Sequence, residues 1–451
     1  MTEPLYHETH RPQFHFTPRR NWTNDPNGLV YYQGEWHLFF QHNPTGIKWG
    51  NMTWGHAIST DLLHWTQLPN ALEPDRLGTI YSGSAVVDWN NTSSLQTGTE
   101  PPLVAIYTSA GSHAQPPKPY TQSIACSNDR GRSWIKYAGN PVLDHIAGAN
   151  RDPKVIWHAP SAQWIMALYL DGNDYALFGS PNLRAWTSLC DVALPGVSEC
   201  PDFFPLAVDG DAANVRWVFW GAAGCYRLGT FDGRTFTPET GVLRAEWGAN
   251  GYAAQTWSDV PEADGRRIQI SWMAGGKYPA MPFNQQFSFP VELTLRNTPD
   301  SIRLYRQPVR ELETLRARTL RWEQRVVEPG ANLIPETEGE LFEVHAEVAL
   351  GDAQAFGVLV RGHDLCYDAV KQEISALGKA APLAPHDGVI RLQLLVDRTS
   401  LEVFAQDGLV TMSSCFLPEA ADSNLEFYAK GGAVTLRSLE VYELRSVWPP
   451  A

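Results

Sequence analysis

Ser59-Thr60-Asp61-Leu62-Leu63-His64-Trp65 reads as the junction of two β-strands. A hydroxyl residue ends one strand, an aspartate able to hydrogen-bond its own backbone makes the turn, and an aromatic opens the next strand. The same order returns as Ser127-Asn128-Asp129-Arg130-Gly131-Arg132-Ser133-Trp134, as Ser180-Pro181-Asn182-Leu183-Arg184-Ala185-Trp186 and as Thr230-Phe231-Asp232-Gly233-Arg234-Thr235-Phe236. The four aromatics fall roughly 50 to 70 residues apart, a period that suits four-stranded blades with long loops. Between them lie short aromatic and β-branched runs such as Glu35-Trp36-His37-Leu38-Phe39-Phe40 and Arg216-Trp217-Val218-Phe219-Trp220, which favour strands. Four marked repeats and an unmarked one over residues 252–295 predict a five-bladed β-propeller. The alternative is a set of unrelated hairpins sharing ordinary turn chemistry, in which Trp65, Trp134 and Trp186 are still core residues.

Three carboxylates stand at one phase of this repeat. Asp25 lies in Asn21-Trp22-Thr23-Asn24-Asp25-Pro26-Asn27-Gly28, Asp152 in Arg151-Asp152-Pro153 and Glu199 in Ser198-Glu199-Cys200-Pro201-Asp202. Each precedes a closing aromatic, respectively Trp65, Trp186 and Phe236, so the propeller brings all three acids to its axis.

With 451 residues the chain is longer than one core usually holds, and two domains are expected. Past residue 296 the texture changes: Val309, Leu312 and Leu315 have helical spacing, and period-2 alternation resumes in Leu341-Phe342-Glu343-Val344-His345-Ala346-Glu347-Val348. The reading is all-β, with a propeller over residues 1–300, a linker with a short helix over 301–319 and a β-sandwich over 320–451. Lys plus Arg number 35 against 49 Asp plus Glu, a net charge of −14, and no basic run offers a footprint for nucleic acid or an anionic membrane. No apolar stretch is long enough for a membrane span. The first 20 residues lack a signal-peptide pattern, so the chain as it stands is expected to be cytoplasmic, or secreted if a signal has been removed. Six scattered cysteines suit reduced thiols better than disulfides or zinc.

Paired carboxylates are what glycoside hydrolysis needs: one attacks or activates water, and one is held protonated to assist the leaving oxygen. Mutual repulsion raises one pKa and separates the roles. A third acid suits sugar hydroxyls. Trp22, Trp49, Trp54, Tyr81, Phe203 and Phe204 cluster near the acids in sequence, and flat rings stack on sugars while Asn24, Gln41, Ser82 and Arg151 supply directional hydrogen bonds. Trp49, in the loop-like Lys48-Trp49-Gly50-Asn51, is the ring best placed for a pocket.

These segments resemble glycoside hydrolase family 32, the β-fructofuranosidases, which includes invertases, inulinases and levanases. The similarity extends through His10-Arg11-Pro12-Gln13-Phe14-His15-Phe16, Trp54-Gly55-His56-Ala57, Tyr81-Ser82-Gly83-Ser84, Pro282-Phe283-Asn284-Gln285-Gln286 and Val396-Asp397-Arg398-Thr399-Ser400-Leu401-Glu402-Val403-Phe404. Each segment is weak alone; in this order they are specific. The resemblance implies a catalytic propeller backed by a β-sandwich, a β-fructoside substrate such as sucrose, inulin or levan, and neither metal nor cofactor. By motif match Asp25 is the nucleophile, Glu199 the acid/base and Asp152 the transition-state stabiliser. Arg151 is expected beside Asp152, keeping it ionised. Asn24, Gln41, Trp49, Tyr81, Ser82 and, less closely, Trp272 match positions lining the fructose subsite. A retaining reaction predicts carboxyls about 5 to 5.5 Å apart.

Two departures stand out. Thr23 replaces a larger apolar residue beside the nucleophile, which is expected to loosen packing there. Asn250 and Gly251 replace Asp and Phe on the fifth blade, which is expected to alter the leaving-group side. A fructosyltransferase shares the same three acids, and a non-catalytic carbohydrate-binding propeller has no use for a nucleophile and acid pair. The 127–134 turn also reads as a sialidase Asp-box, but no arginine triad or tyrosine nucleophile accompanies it. His7-Glu8-Thr9-His10 is one residue short of the zincin spacing. Sequons at Asn21, Asn51, Asn90 and Asn91 matter only on export.

Overall fold

In a computed structural model, which describes residues 4–331, 333, 339–417 and 425–449, the repeating turns are one device used four times. Asp61 Oδ1 accepts the backbone N–H groups of Leu63 and His64 at 3.0 and 2.9 Å. Asn182 Oδ1 accepts those of Arg184 and Ala185 at 3.1 and 3.0 Å, and Asp232 Oδ1 those of Arg234 and Thr235 at 2.8 and 2.7 Å. In the second blade Asp129 Oδ1 accepts the Ser133 N–H at 2.9 Å. The tryptophans then close the turn from above: Trp65, Trp134 and Trp186 each donate Nε1–H to a carbonyl three residues back, at 3.0 to 3.1 Å. Trp65 packs on Phe16 and Trp257 and Trp134 on Phe39. Turn satisfaction and core burial thus account for the pattern.

Each turn joins the outer two strands of a four-stranded antiparallel blade. Blade I holds Asn21–Tyr32, Glu35–Asn43, Thr53–Ser59 and Thr66–Leu72. Blade II holds Thr79–Val87, Leu103–Ala110, Thr121–Ser127 and Ile135–Lys136; blade III holds Arg151–His158, Gln163–Asp171, Asp174–Ser180 and Thr187–Ala193. Blade IV runs over Asp202–Val208, Asp211–Gly221, Cys225–Phe231 and Phe236–Pro238, and blade V over Gly251–Thr256, Arg267–Met273, Val291–Asn297 and Ile302–Pro308. Glu35–Asn43 and Leu103–Ala110 are buried almost throughout: both blade faces are covered, so these strands lose the alternation of a one-sided sheet. Polar links tie neighbouring blades near the axis. Gly83 N donates to Asn27 Oδ1 (3.1 Å), Val155 N to Ser84 Oγ (2.9 Å), Thr256 N to Asp202 Oδ2 (2.6 Å) and Ser258 N to the Leu29 carbonyl (2.9 Å).

The expected linker differs from the structure at both ends. Ile302–Pro308 is the outer strand of blade V, paired along its length with Val291–Asn297. Arg316–Val327 already belongs to the second domain. The helical spacing yields a 3₁₀ helix, Arg310–Leu315, that buries Leu312 and Leu315. Among the described residues the second domain stacks a six-stranded sheet on a five-stranded one around its own apolar core. It docks through buried polar groups. His15 lies between Asp397 (Nδ1 to Oδ2, 2.8 Å) and Glu402 (Nε2 to Oε2, 2.7 Å), and Asp397 also accepts the Gln13 and Phe14 N–H groups. Glu246 meets Arg306 Nη1 at 2.7 Å and the Ser413 N–H at 2.7 Å. Two of the similarity segments, 10–16 and 396–404, are therefore the two halves of one interface.

Candidate active site

Asp25 owes its position to an irregular strand. Pairing between Asn21–Tyr32 and Glu35–Asn43 slips after Thr23 and again after Asn27, and such bulges re-aim a side chain. Asn27 fixes the bulge, donating Nδ2 to the Asp25 carbonyl at 2.7 Å while its Oδ1 takes the Gly83 N–H. Gly28 follows at φ 53°, and a Cβ there would come within 2.7 Å of Phe39 and 2.8 Å of Trp54. Thr23 does not loosen this packing. It is fully buried and donates its hydroxyl to the Gln41 carbonyl at 3.0 Å.

The other two acids sit on left-handed backbone. Asp152 has φ 64°, Glu199 φ 61° and Cys200 φ 41°, each costing on the order of 1 to 2 kcal/mol for a residue with a Cβ. Surrounding bonds hold them there. Asp152 N donates to Thr108 Oγ1 at 3.0 Å, Ala222 N and the Tyr175 hydroxyl donate to the Glu199 carbonyl at 3.2 and 3.3 Å, and Cys200 N donates to Asp152 Oδ2 at 3.1 Å. The Cys200 thiol lies between two of the acids, 3.5 Å from Asp152 Oδ2 and 3.7 Å from Asp25 Oδ2.

Asp25, Asp152 and Glu199 line one cavity of about 400 Å³ together with Asn24, Gln41, Trp49, Tyr81, Ser82, Arg151 and Trp272, every residue the motifs singled out for the site. Trp22, Trp54, Phe203 and Phe204 do not line it; the last three are core. Tyr252 and Tyr120 also line it and were not anticipated. Ser82 Oγ donates to Asp25 Oδ2 at 2.5 Å. The Glu199 carboxylate is held at both oxygens, Oε1 by Arg151 Nη2 and Oε2 by the Tyr252 hydroxyl. Gln41 is 2% exposed and its Nε2 has no hydrogen-bond partner among the described residues, an arrangement that costs free energy until a ligand accepts from it. Trp272 donates Nε1–H to Gln285 at 3.0 Å and stands edge-on to both Trp22 and Tyr252. Trp49 is 49% exposed at the mouth.

Arg151 stands beside Asp152 as expected and serves Glu199 as well. Its firm contact is Glu199, and its Nε is 3.8 Å from Asp152 Oδ2. It does not hold Asp152 in the ordinary carboxylate range. Burial pushes that carboxyl up to about 7, Arg151 pulls it back, and the charges of Asp25 and Glu199 add to the rise. Burial likewise raises Asp25; hydrogen bonds from Ser82 and Asn24 oppose the shift, and the Glu199 charge adds to it.

Asn250 and Gly251 are absent from the cavity wall. Asn250 bridges blade V and the sandwich, donating Nδ2 to the Ala274 carbonyl at 2.6 Å and accepting the Cys415 N–H at 2.7 Å. Gly251 leaves room for Glu246, whose Cγ would lie 2.6 Å from a Cβ. Both departures concern the domain junction.

Among the described residues no helix is long and apolar enough to cross a membrane. Residues 15–308 match the glycosyl hydrolases family 32 N-terminal domain and residues 311–443 the family 32 C-terminal domain. The first ends at the outer strand of blade V. A levanase of Bacillus subtilis (strain 168) is 41% identical over 98% of this chain and 72% of its own length. An extracellular exo-inulinase of Aspergillus ficuum is 32% identical over 98% of this chain and 96% of its own. The crystal structure of exo-inulinase from Aspergillus awamori superposes with a TM-score of 0.88 at 30% identity, covering 98% of this chain and all (100%) of that one. That of a Schwanniomyces occidentalis fructofuranosidase complexed with fructose does so with 0.87 at 27%, covering 99% and 100%. Fold, site and kinship agree that the chain belongs to glycosyl hydrolase family 32 and is a glycoside hydrolase of the β-fructofuranosidase type.

Proposed function

We propose that the chain is an exo-acting, retaining β-fructofuranosidase that releases terminal β-D-fructofuranosyl units from fructans and sucrose. The observation that carries the reading is the meeting of Asp25, Asp152 and Glu199, from separate parts of the propeller, in one cavity with a half-exposed ring, Trp49, in its wall, Asp152 buried and the other two acids partly exposed. A cavity of that form takes a chain end. The names of the similar proteins, levanase and exo-inulinase, support the same substrate class.

In this reaction Asp25 attacks C2 of the terminal fructosyl unit, the C2–O bond to the leaving group breaks, and Glu199 gives its proton to the departing oxygen. A water then enters, Glu199 takes its proton, the water oxygen bonds to C2 and Asp25 departs. Two inversions leave the β configuration unchanged. Ser82 orients the nucleophile, and Arg151 and Tyr252 orient Glu199. Asp152, Asn24 and the unpartnered Gln41 amide engage fructose hydroxyls.

Fructose release from sucrose, inulin and levan by the wild type and by Glu199→Gln tests the reading. Release by the wild type and loss in the variant are expected. No fructose from any of the three sinks it, and oligosaccharides as the main products at high sucrose assign the chain to transfer instead.

A further inference from the structure

Asp152, Glu199 and Tyr252 belong to blades III, IV and V, and the inner strands of these blades, Arg151–His158, Asp202–Val208 and Gly251–Thr256, are not ladder neighbours of one another. Their relative placement depends on side chains that reach between blades. Lys154 is one, 3% exposed and outside the catalytic cavity. Its Nζ donates to the Thr256 carbonyl at 2.5 Å and lies 3.6 Å from Asp202 Oδ1. Asp202 is fully buried and accepts the Phe203 N–H at 2.8 Å and the Thr256 N–H at 2.6 Å. One ammonium and one carboxylate thus join three blades. From blade II, Ser84 grips the same segment, donating Oγ to the Pro153 carbonyl at 3.0 Å and accepting the Val155 N–H at 2.9 Å.

Lys154 is two residues past Asp152, and Asp202 is two past Cys200, whose N–H donates to Asp152 Oδ2 at 3.1 Å. Two residues of chain span at most about 7 Å, so a shift at the ion pair reaches the acids with little chain to absorb it. The turns it supports need that support: Asp152, Glu199 and Cys200 all have positive φ, and such backbone persists only where its surroundings over-determine it. The pair is a poor source of net stability, because a buried ammonium and carboxylate both give up water. Burial lowers the Lys154 pKa to about 8; Asp202 opposes the shift, the Arg267 charge adds to it and Asp259 opposes it. A tie that contributes little to stability and joins the strands of the site has its use in geometry.

The geometry points to Lys154 as a positioning residue for the reaction: by bridging Asp202 and the Thr256 carbonyl, its ammonium fixes Asp152 against Glu199 and Tyr252, an assignment that rests on the fructosidase reading. In that reading Asp152 engages fructose hydroxyls while Glu199, oriented by Tyr252, moves the proton, so the three must be correctly spaced at the moment the C2–O bond breaks. Lys154 touches no substrate. It lines another space, of about 140 Å³, with Trp157, Phe203, Asp259 and Arg267, which gives room for a longer cationic side chain at the same position.

Steady-state kinetics on whichever of sucrose, inulin and levan the wild type cleaves test this with Lys154→Met, Lys154→Arg and the double variant Lys154→Met with Asp202→Asn. Methionine is close to lysine in length and carries no charge. The double variant leaves no unpaired charge buried, so it decides the matter where the single variant does not fold. In both, kcat is expected to fall about 10- to 100-fold with KM within about threefold of wild type, because a displacement of about 1 Å among the acids is felt chiefly in the transition state. Lys154→Arg keeps the charged donor and is expected to restore kcat to within about fivefold of wild type. A double variant with kcat within twofold of wild type overturns the assignment. So does a loss carried by KM alone, a loss that arginine does not relieve, or a double variant that no longer folds, which assigns the pair to stability. A wild type that releases fructose from none of the three substrates sinks the fructosidase reading itself, a result distinct from these.

Discussion

Replacing Ser82 with alanine removes one hydrogen bond, 2.5 Å long, from Oγ to Asp25 Oδ2. The site is 5% exposed and the side-chain change is a single oxygen, so the fold has little reason to move. A hydrogen bond to a charged group contributes about 1.5 to 3 kcal/mol, and one pKa unit corresponds to roughly 1.4 kcal/mol. The upper limit is therefore a shift of one to two units; with the Asn24 bond still in place, about one unit is expected. The sign follows from which form the bond favours. Ser82 stabilises ionised Asp25, the form that attacks in the proposed reaction, so its loss raises the carboxyl further above its ordinary range. The acidic limb of kcat/KM against pH moves to higher pH by about one unit, and activity on the acid side falls about tenfold. Asp25 and Asp152 interact, so the limb belongs to the pair, but Ser82 touches only Asp25. The assay is initial-rate fructose release from sucrose across the acid and neutral range, beside Ser82→Thr, which keeps the hydroxyl. A limb that stays put or moves to lower pH, in a variant with unchanged thermal stability, refutes this account of Asp25.

Three further outcomes follow from named contacts. His15, buried between Asp397 and Glu402, has its pKa raised to about 9 against an unfolded value near 6.5; burial lowers it and the two carboxylates more than offset that. The clamp's stabilisation, roughly 3 kcal/mol at most, is full below pH 6.5 and lost as pH rises through about 9, so denaturant melts should show an alkaline decline that His15→Gln abolishes; identical pH profiles contradict the clamp. Tyr252→Phe keeps the ring but removes the donor to Glu199 Oε2, and a kcat about 10- to 100-fold lower with KM little changed is expected; kcat within twofold of wild type excludes a positioning role. Asn250→Asp sets an acceptor against the Ala274 carbonyl and is expected to cost about 1 to 3 kcal/mol in thermal unfolding, whereas an effect confined to leaving-group preference restores this position to the cavity.

Much of the fold was legible because local turn chemistry repeats: an Asp, Asn or Gly turn with a following aromatic needs no partner from elsewhere in the chain to be recognised. The acids were legible for the same reason, since their phase in the repeat is their place at the axis. Tyr252 was missed although the rule that located the others reaches it. It stands at the start of the inner strand of blade V, Gly251–Thr256, at the phase of Asp25 in blade I and Asp152 in blade III. Blade V lacks the marked turn, and Asn250 and Gly251 drew the reading to themselves. Tyr120 had no such signal, because its direction is set by the fold-back of residues 111–120 on the Gly111 carbonyl. The contact between Arg151 and Glu199 was equally hidden: adjacency in sequence points to Asp152, which Arg151 also meets, whereas Glu199 lies 48 residues further along the chain. Ile302–Pro308 reads as linker until its pairing with Val291–Asn297 is known.

The central claim is that Asp25 forms the bond to C2 while Glu199 carries the proton. Glu199→Gln, which cannot accept the proton from water, should accumulate the fructosyl-enzyme when given a β-fructoside whose leaving group needs no protonation. Peptide mapping by mass spectrometry then locates the sugar. A fructosyl adduct on the peptide carrying Asp25, absent in Asp25→Asn with Glu199→Gln, is the predicted result; an adduct on the peptide carrying Asp152 contradicts the account.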